Sequence, residues 1–331
     1  MKMKVVTILI LTALCASSYA SDRISEGLVT RNKVNGRLEF IHKKLSAADL
    51  DTGTPLTEEV KNHVKKLSAP DDVIAALVDE KIGGAGNETY NALPMNPSAR
   101  EIWKNKVIDV TYNYLKEHNS EEVMFMLIPF YENMSTSRPY GFAVFIMKLT
   151  KSNAQLVKAY IPNPLKSVSE TISPYIYSTG NLFNVERKNE TLHIVGVGFD
   201  KSPVERVEAA SKSVRLSDLT TGTDLDEFSK KHTESLAGNE PYVPGLLLSQ
   251  KLGGKGDDPY NVVPMTPKAL EAFKTRVEVP VLEYFKDPAN KHERVAMTVI
   301  VMYADYASTR PVGFIVLCKQ SPNNSAYIPN Q

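Results

Sequence analysis

The sequence predicts an α+β protein built as two tandem homologous domains, each a β-sheet or hairpin with a helix after a glycine-rich loop. Three observations predict it. Five blocks recur in the same order in the two halves. Apolar runs of strand length flank polar, turn-rich connections. A stretch of helical period follows a Gly-Gly-x-Gly loop in each half. The chain of 331 residues has room for two domains that each bury a core. Its composition, 42% hydrophobic and 23% charged without a low-complexity tract, is that of a globular protein.

Residues 1–20 read as a signal peptide. Lys2 and Lys4 form a basic start, and Val5 to Ala16 is an apolar run. Ser18-Tyr19-Ala20 then supplies small residues at the two positions a signal peptidase inspects. The run is short of the roughly 20 residues a membrane span needs, and no later stretch approaches that length. A secreted, extracellular protein beginning near Ser21 is expected, with no membrane partner. Cleavage removes Lys2 and Lys4, so 39 basic residues become 37 against 38 acidic ones, a formal charge of −1. Cys15 is removed as well, leaving Cys318 as the only thiol and no internal disulfide. Cys318 ends the run Phe314-Ile-Val-Leu-Cys318, where a buried small hydrophobe is expected. Sequons at Asn87, Asn133, Asn189 and Asn323 make a glycoprotein the expectation.

The repeat sets the domain bounds. Asp49-Leu-Asp-Thr-Gly-Thr54 returns as Asp218-Leu-Thr-Thr-Gly-Thr223. Ile82-Gly-Gly-Ala-Gly86 and Tyr90-Asn-Ala-Leu-Pro-Met95 return as Leu252-Gly-Gly-Lys-Gly256 and Tyr260-Asn-Val-Val-Pro-Met265. Tyr131 with Ser137-Arg-Pro-Tyr-Gly-Phe142 returns as Tyr303 with Thr309-Arg-Pro-Val-Gly-Phe314. Ala159-Tyr-Ile-Pro-Asn163 returns as Ala326-Tyr-Ile-Pro-Asn330. A spacing of about 170 residues is that of a whole domain, so the pattern is duplication and not a solenoid array. The copies are expected over 21–165 and 166–331, with a linker near Asn163 to Val168.

Within each copy the glycine-rich stretch predicts a tight loop. Pro97 and Pro267 mark a helix start. Trp103, Val107, Val110 and Tyr114, and in the second half Phe273, Val277, Val281 and Tyr284 or Phe285, predict one apolar helix face. Pro280 is expected to kink or interrupt the second helix. Val123–Ile128 with Gly141–Met147, and Val295–Tyr303 with Gly313–Cys318, predict hairpins. Leu192–Gly198 predicts a further strand at the front of the second copy.

The order of these blocks, with the Gly36-Arg37 pair ahead of them, resembles the DNA/RNA non-specific endonuclease family and its ββα-metal active site. The resemblance implies a Gly-His pair before Leu-Gly-Gly whose imidazole activates water. It also implies an Asn on the following helix that holds magnesium. Counting from the shared blocks, the base position falls near Ala76 in the first half and on Leu246, after Gly245, in the second. The metal position falls near Arg100 and Leu270. None of the four can perform the implied role, so no catalytic or metal-binding residue and no cofactor is expected. Asn91 and Asn261 survive, and are expected to cap the helix.

No other residues replace that chemistry. His42, His63, His118, His193, His232 and His292 occupy unrelated places in the two halves and show no metal-ligand spacing, so solvated surface positions are expected. Asp71-Asp72 and Asp257-Asp258 read as loop-tip or turn carboxylates. Gly83–Gly86 lacks the strand-to-helix and Lys-Ser/Thr context of a phosphate loop. Arg138 and Arg310 suit either phosphate contacts or a salt bridge at the hairpin base. Lys43-Lys44, Lys65-Lys66 and Lys230-Lys231 are expected on solvated faces. The reading is therefore a pseudo-nuclease acting as an extracellular binding or effector protein, its partner unidentified and a protein among the options. An active metal-dependent nuclease with relocated residues is the alternative, as is non-cleaving nucleic-acid binding, which the net charge of −1 does not favour.

Overall fold

The structure is a computed structural model. It describes residues 20–24, 27–32, 35–149, 155–165, 177–179, 182–188, 191–197, 206–238, 241–305, 308–319 and 325–331. The expected signal peptide up to residue 19, Cys15 and residues 166–168 of the expected linker lie outside these. The chain forms two compact units, Ser18–Gly180 and Asn181–Gln331. The architecture is mixed α+β.

The N-terminal unit contains, in order, β1 (Ala20–Ile24), β2 (Gly27–Arg31), β3 (Leu38–Ser46), α1 (Glu58–Lys65), β4 (Val73–Ala76), β5 (Ala92–Met95), α2 (Pro97–Trp103), α3 (Asp109–Glu117), β6 (Glu122–Phe130), β7 (Gly141–Lys148), β8 (Gln155–Pro162) and β9 (Tyr177–Thr179). Seven strands form one open sheet in the order β1-β2-β3-β6-β7-β8-β9, and β4 pairs with β5 in a separate ribbon. The C-terminal unit contains β10 (Leu182–Lys188), β11 (Thr191–Val197), β12 (Arg206–Val214), α4 (Glu227–Ala237), β13 (Val243–Leu246), β14 (Val262–Met265), α5 (Pro267–Phe273), α6 (Val279–Lys286), β15 (Val295–Tyr303), β16 (Pro311–Lys319) and β17 (Ala326–Pro329). Its sheet runs β10-β11-β12-β15-β16-β17, with β13 and β14 as the ribbon. Both expected hairpins and the expected strand near Leu192 are present.

Alternation along the strands places the core. Val123, Phe125 and Leu127 of β6 and Val144 and Ile146 of β7 share one buried cluster with Trp103 and Val107. Trp103 packs edge-on against Phe125 with ring centroids 6.2 Å apart. In the C-terminal unit Phe273 meets Phe314 at 5.1 Å. Burying each such large side chain contributes about 2–3 kcal/mol. Cys318 is buried too, and burial pushes its thiol pKa up to about 12, which keeps it protonated at neutral pH.

The helices start where the prolines predicted. The Asn96 side chain accepts from Ser98 N–H, and the Thr266 side chain from Ala269 N–H, with Pro97 and Pro267 in the first turn. Each helix then passes through one π turn, Lys104–Ile108 and Lys274–Glu278, before α3 and α6. Pro280 neither ends nor breaks the path. It falls in the first turn of α6, directly after the π turn, where a missing N–H costs little.

The repeated Ala-Tyr-Ile-Pro-Asn blocks have a shared job. Asn163 and Asn330 are buried. Asn163 Oδ1 accepts from Asn96 N–H at 2.7 Å, while Nδ2 donates to the carbonyls of Pro94 and Pro139. Asn330 does the same with Thr266 N–H, Pro264 and Pro311. One carboxamide thus ties the end of β8, or of β17, to the ribbon, the helix start and the hairpin. Arg138 adds a fork in the N-terminal unit: its Nε and Nη2 donate to the two oxygens of Asp72, both at 2.6 Å. Among the described residues no helix is long and apolar enough to cross a membrane. Replacing Asn163 by Ala should strand three backbone groups and lower stability by about 2–3 kcal/mol. The check is urea unfolding followed by the fluorescence of Trp103, the sole tryptophan; an unmoved midpoint would contradict the clamp.

Candidate functional site

The candidate site of each unit lies where the ribbon, the glycine-rich loop and the helix converge. The loop is held by backbone packing. Thr54 N–H donates to the Gly84 carbonyl and Thr57 N–H to that of Gly86; Thr223 N–H donates to the Gly254 carbonyl. A Cβ at Gly84 would sit 1.8 Å from the Val78 carbonyl oxygen, and one at Gly254 1.7 Å from that of Leu248, so only glycine fits. A lysine anchors the loop to the sheet from below. Lys43 Nζ donates to the Gly83 carbonyl at 2.7 Å, and Lys212 Nζ to that of Gly253 at 3.2 Å. These contacts give the Gly-Gly-x-Gly stretch a structural role.

Asn91 and Asn261 complete the loop from within. Asn91 Oδ1 accepts from Val78 N–H at 2.8 Å, and Nδ2 donates to the carbonyls of Val78 and Ala85. Asn261 repeats this with Leu248 and Lys255. They do not cap the helix as expected, because Asn96 and Thr266, nearer the first turn, already do.

The four positions singled out by the resemblance sit on this frame. Ala76 ends β4 and Arg100 lies on α2, which packs against that strand. Arg100 Nη2 approaches Asp79 Oδ2 at 3.6 Å. A guanidinium with its own carboxylate partner offers no donor to a cation. In the C-terminal unit Leu246 ends β13 and Leu270 lies one turn into α5. Both line a cleft of about 390 Å³, with Leu247, Leu252, Phe273, Val277 and Met297. At its rim Lys251 pairs with Glu278 at 3.1 Å and Lys274 with Glu271 at 3.8 Å. Ser249 donates its hydroxyl to Glu278. Magnesium, which the resemblance implies, takes hard oxygen ligands, and the residues at these positions do not fit it. Among the described residues, no three His, Cys, Asp or Glu side chains gather as a metal site.

Several expectations need correction. His193 is not solvated. It is fully buried on β11, with Nε2 3.2 Å from Asp258 Oδ2. Of the carboxylate pairs, Asp71 and Asp257 are exposed as expected, whereas the side chains of Asp72 and Asp258 are buried while serving turns. Asp258 is buried and also accepts from Tyr260 N–H, while Asp72 is buried in the Arg138 fork. Of the lysine pairs, Lys43 and Lys44 are tied down, the latter to Glu122 at 2.9 Å; Lys230 lies on an exposed face with Glu227. Arg37, from the Gly-Arg pair, stacks 4.4 Å over Tyr131, bonds Glu39 and holds hairpin-loop carbonyls. Arg206 repeats this over Tyr303 with Glu208. Both arginines are therefore structural. Asn87 and Asn133 are exposed, as acceptors must be; Asn189 and Asn323 lie outside the described residues.

No protein-family model matches the chain, and no curated protein matches it. Solved structures similar to it include a Sda1 nuclease with bound zinc ion, at a TM-score of 0.30 and 11% identity, covering 47% of this chain and 78% of that one. Asp258 is buried and accepts from Tyr260 N–H, and leaving a buried donor without its acceptor costs about 1–3 kcal/mol. Asp258→Ala should lose stability on that scale in a thermal melt, while Asp257→Ala, at an exposed side chain, should change it by less than about 1 kcal/mol. Equal effects would return Asp258 to the surface.

Proposed function

We propose that this chain is a secreted pseudo-nuclease: two diverged tandem copies of a ββα-metal nuclease-like domain, acting outside the cell as a binding or effector protein. The observation that carries the proposal is the occupancy of four positions. Where the resemblance calls for a general base the chain has Ala76 and Leu246, and where it calls for a metal ligand it has Arg100 and Leu270. Hydrolysing a phosphodiester through metal-activated water requires a proton acceptor and a cation that stabilises the developing phosphorane charge. Ala and Leu accept no proton. Arg100, paired with Asp79, repels a second cation.

The frame around those positions supports descent from a working site. The glycine-rich loop, the buried Asn91 and Asn261, the lysine anchors and the helix start recur in both units in the same order. They are the parts that position groups, and they persist without the groups that react. Binding therefore remains available to the scaffold, while metal-assisted hydrolysis does not. The N-terminal targeting pattern and the exposed sequons Asn87 and Asn133 are consistent with an extracellular setting.

The test is an incubation of purified mature protein with plasmid DNA and with RNA, in magnesium or manganese across neutral pH. Products at the level of the buffer control are expected. Metal-dependent cleavage that copurifies with the protein would overturn the proposal in favour of relocated catalytic residues. Salt-dependent retention on immobilised nucleic acid without cleavage would assign the binding role to nucleic acid.

A further inference from the structure

We infer that the C-terminal cleft binds a small, neutral, largely apolar molecule carrying one hydrogen-bonding head group. The inference rests on the pseudo-nuclease reading and names the ligand class of one of its two altered sites. The cleft holds about 390 Å³, within the range of about 300–1,000 Å³ typical of small-molecule sites. Leu246 and Leu252 form its ribbon and loop side, Leu270, Phe273 and Val277 its helix side, and Met297 its floor on β15. Residues 270, 273 and 277 are spaced to share one helix face. This apolar lining removes the solvation an ion would need. The rim charges are internally matched, Lys251 with Glu278 and Lys274 with Glu271. A charged head would have to break one of these pairs. A hydroxyl or amide head can instead share hydrogen bonds with Ser249, Gln250 or the rim charges.

The corresponding place in the N-terminal unit is different. There Arg100 occupies the position of Leu270, and Asp79 stands where Ser249 does, joined at 3.6 Å. A polar bridge replaces the apolar wall, so one such site per chain is expected.

The test uses the full mature chain and the neutral fluorescent probe N-phenyl-1-naphthylamine. The expected result is saturable binding of one probe per chain, displaced by decan-1-ol and at least about fivefold less well by decanoate. Inorganic phosphate should not compete. Leu270→Asp, at a partly exposed side chain, should weaken binding by about tenfold or more with an unchanged circular dichroism spectrum. Leu270→Trp, which fills the cleft without adding charge, should do the same if the acidic variant fails to fold. Leu216→Asp, outside the cleft, should bind as the native chain does. Absence of saturable binding, or binding indifferent to both Leu270 variants, would overturn the inference. So would a self-association that shuts the probe out. Any of these, with the cleavage assay silent, leaves the pseudo-nuclease proposal standing. Phosphate displacement accompanied by cleavage would sink both.

Discussion

In each unit one buried carboxamide joins the end of the ribbon to the glycine-rich loop. Asn91 and Asn261 each accept one backbone N–H and donate to two carbonyls. Buried backbone groups at the turn would otherwise lack partners, at a cost of about 1–3 kcal/mol each. Meeting that requirement fixes where the loop turns, which fixes where the following strand and helix begin. The cleft is a consequence of this geometry. Its walls are whatever side chains stand at the strand end and one turn into the helix.

This separation of frame and lining explains what the two units share and where they differ. Glycines at 84 and 254, the anchoring lysines and the paired asparagines answer to backbone sterics and hydrogen bonding, which are the same in both. Residues at 76, 100, 246 and 270 carry no such duty. They differ between the units: a polar pair in the N-terminal unit and an apolar cleft in the C-terminal one. The π turns at Lys104–Ile108 and Lys274–Glu278 belong to the frame, since they occur in both units and only one has a proline nearby.

Much of the fold was legible in the sequence because its constraints are local. Gly-Gly-x-Gly, Asn-x-x-Pro-Met and Arg-Pro-x-Gly-Phe each encode a backbone geometry, and repetition marked them as structural. Gly141 and Gly313 are required because Tyr160 and Tyr327 press against them, a contact 2.2 and 2.3 Å from a notional Cβ. What stayed hidden depends on distant partners or on subtle winding. His193 and Asp258 pair across 65 residues of sequence in one unit only, so neither spacing nor repetition revealed them. Asn91 looks like a cap because it precedes the helix, but Asn96 is closer. A π turn shifts the apolar face by one residue, burying Ile108 and Thr111 beside Val107, which a helical period cannot show.

The proposed function requires that the frame of each unit stands without a metal site. Manganese titration of the intact mature chain, followed by electron paramagnetic resonance, tests it most directly. The account predicts a free-ion signal that grows in proportion to added metal, with no stoichiometric bound fraction up to millimolar concentration. A saturable fraction approaching one ion per unit, abolished by substitution in the loop–helix cleft, would contradict it.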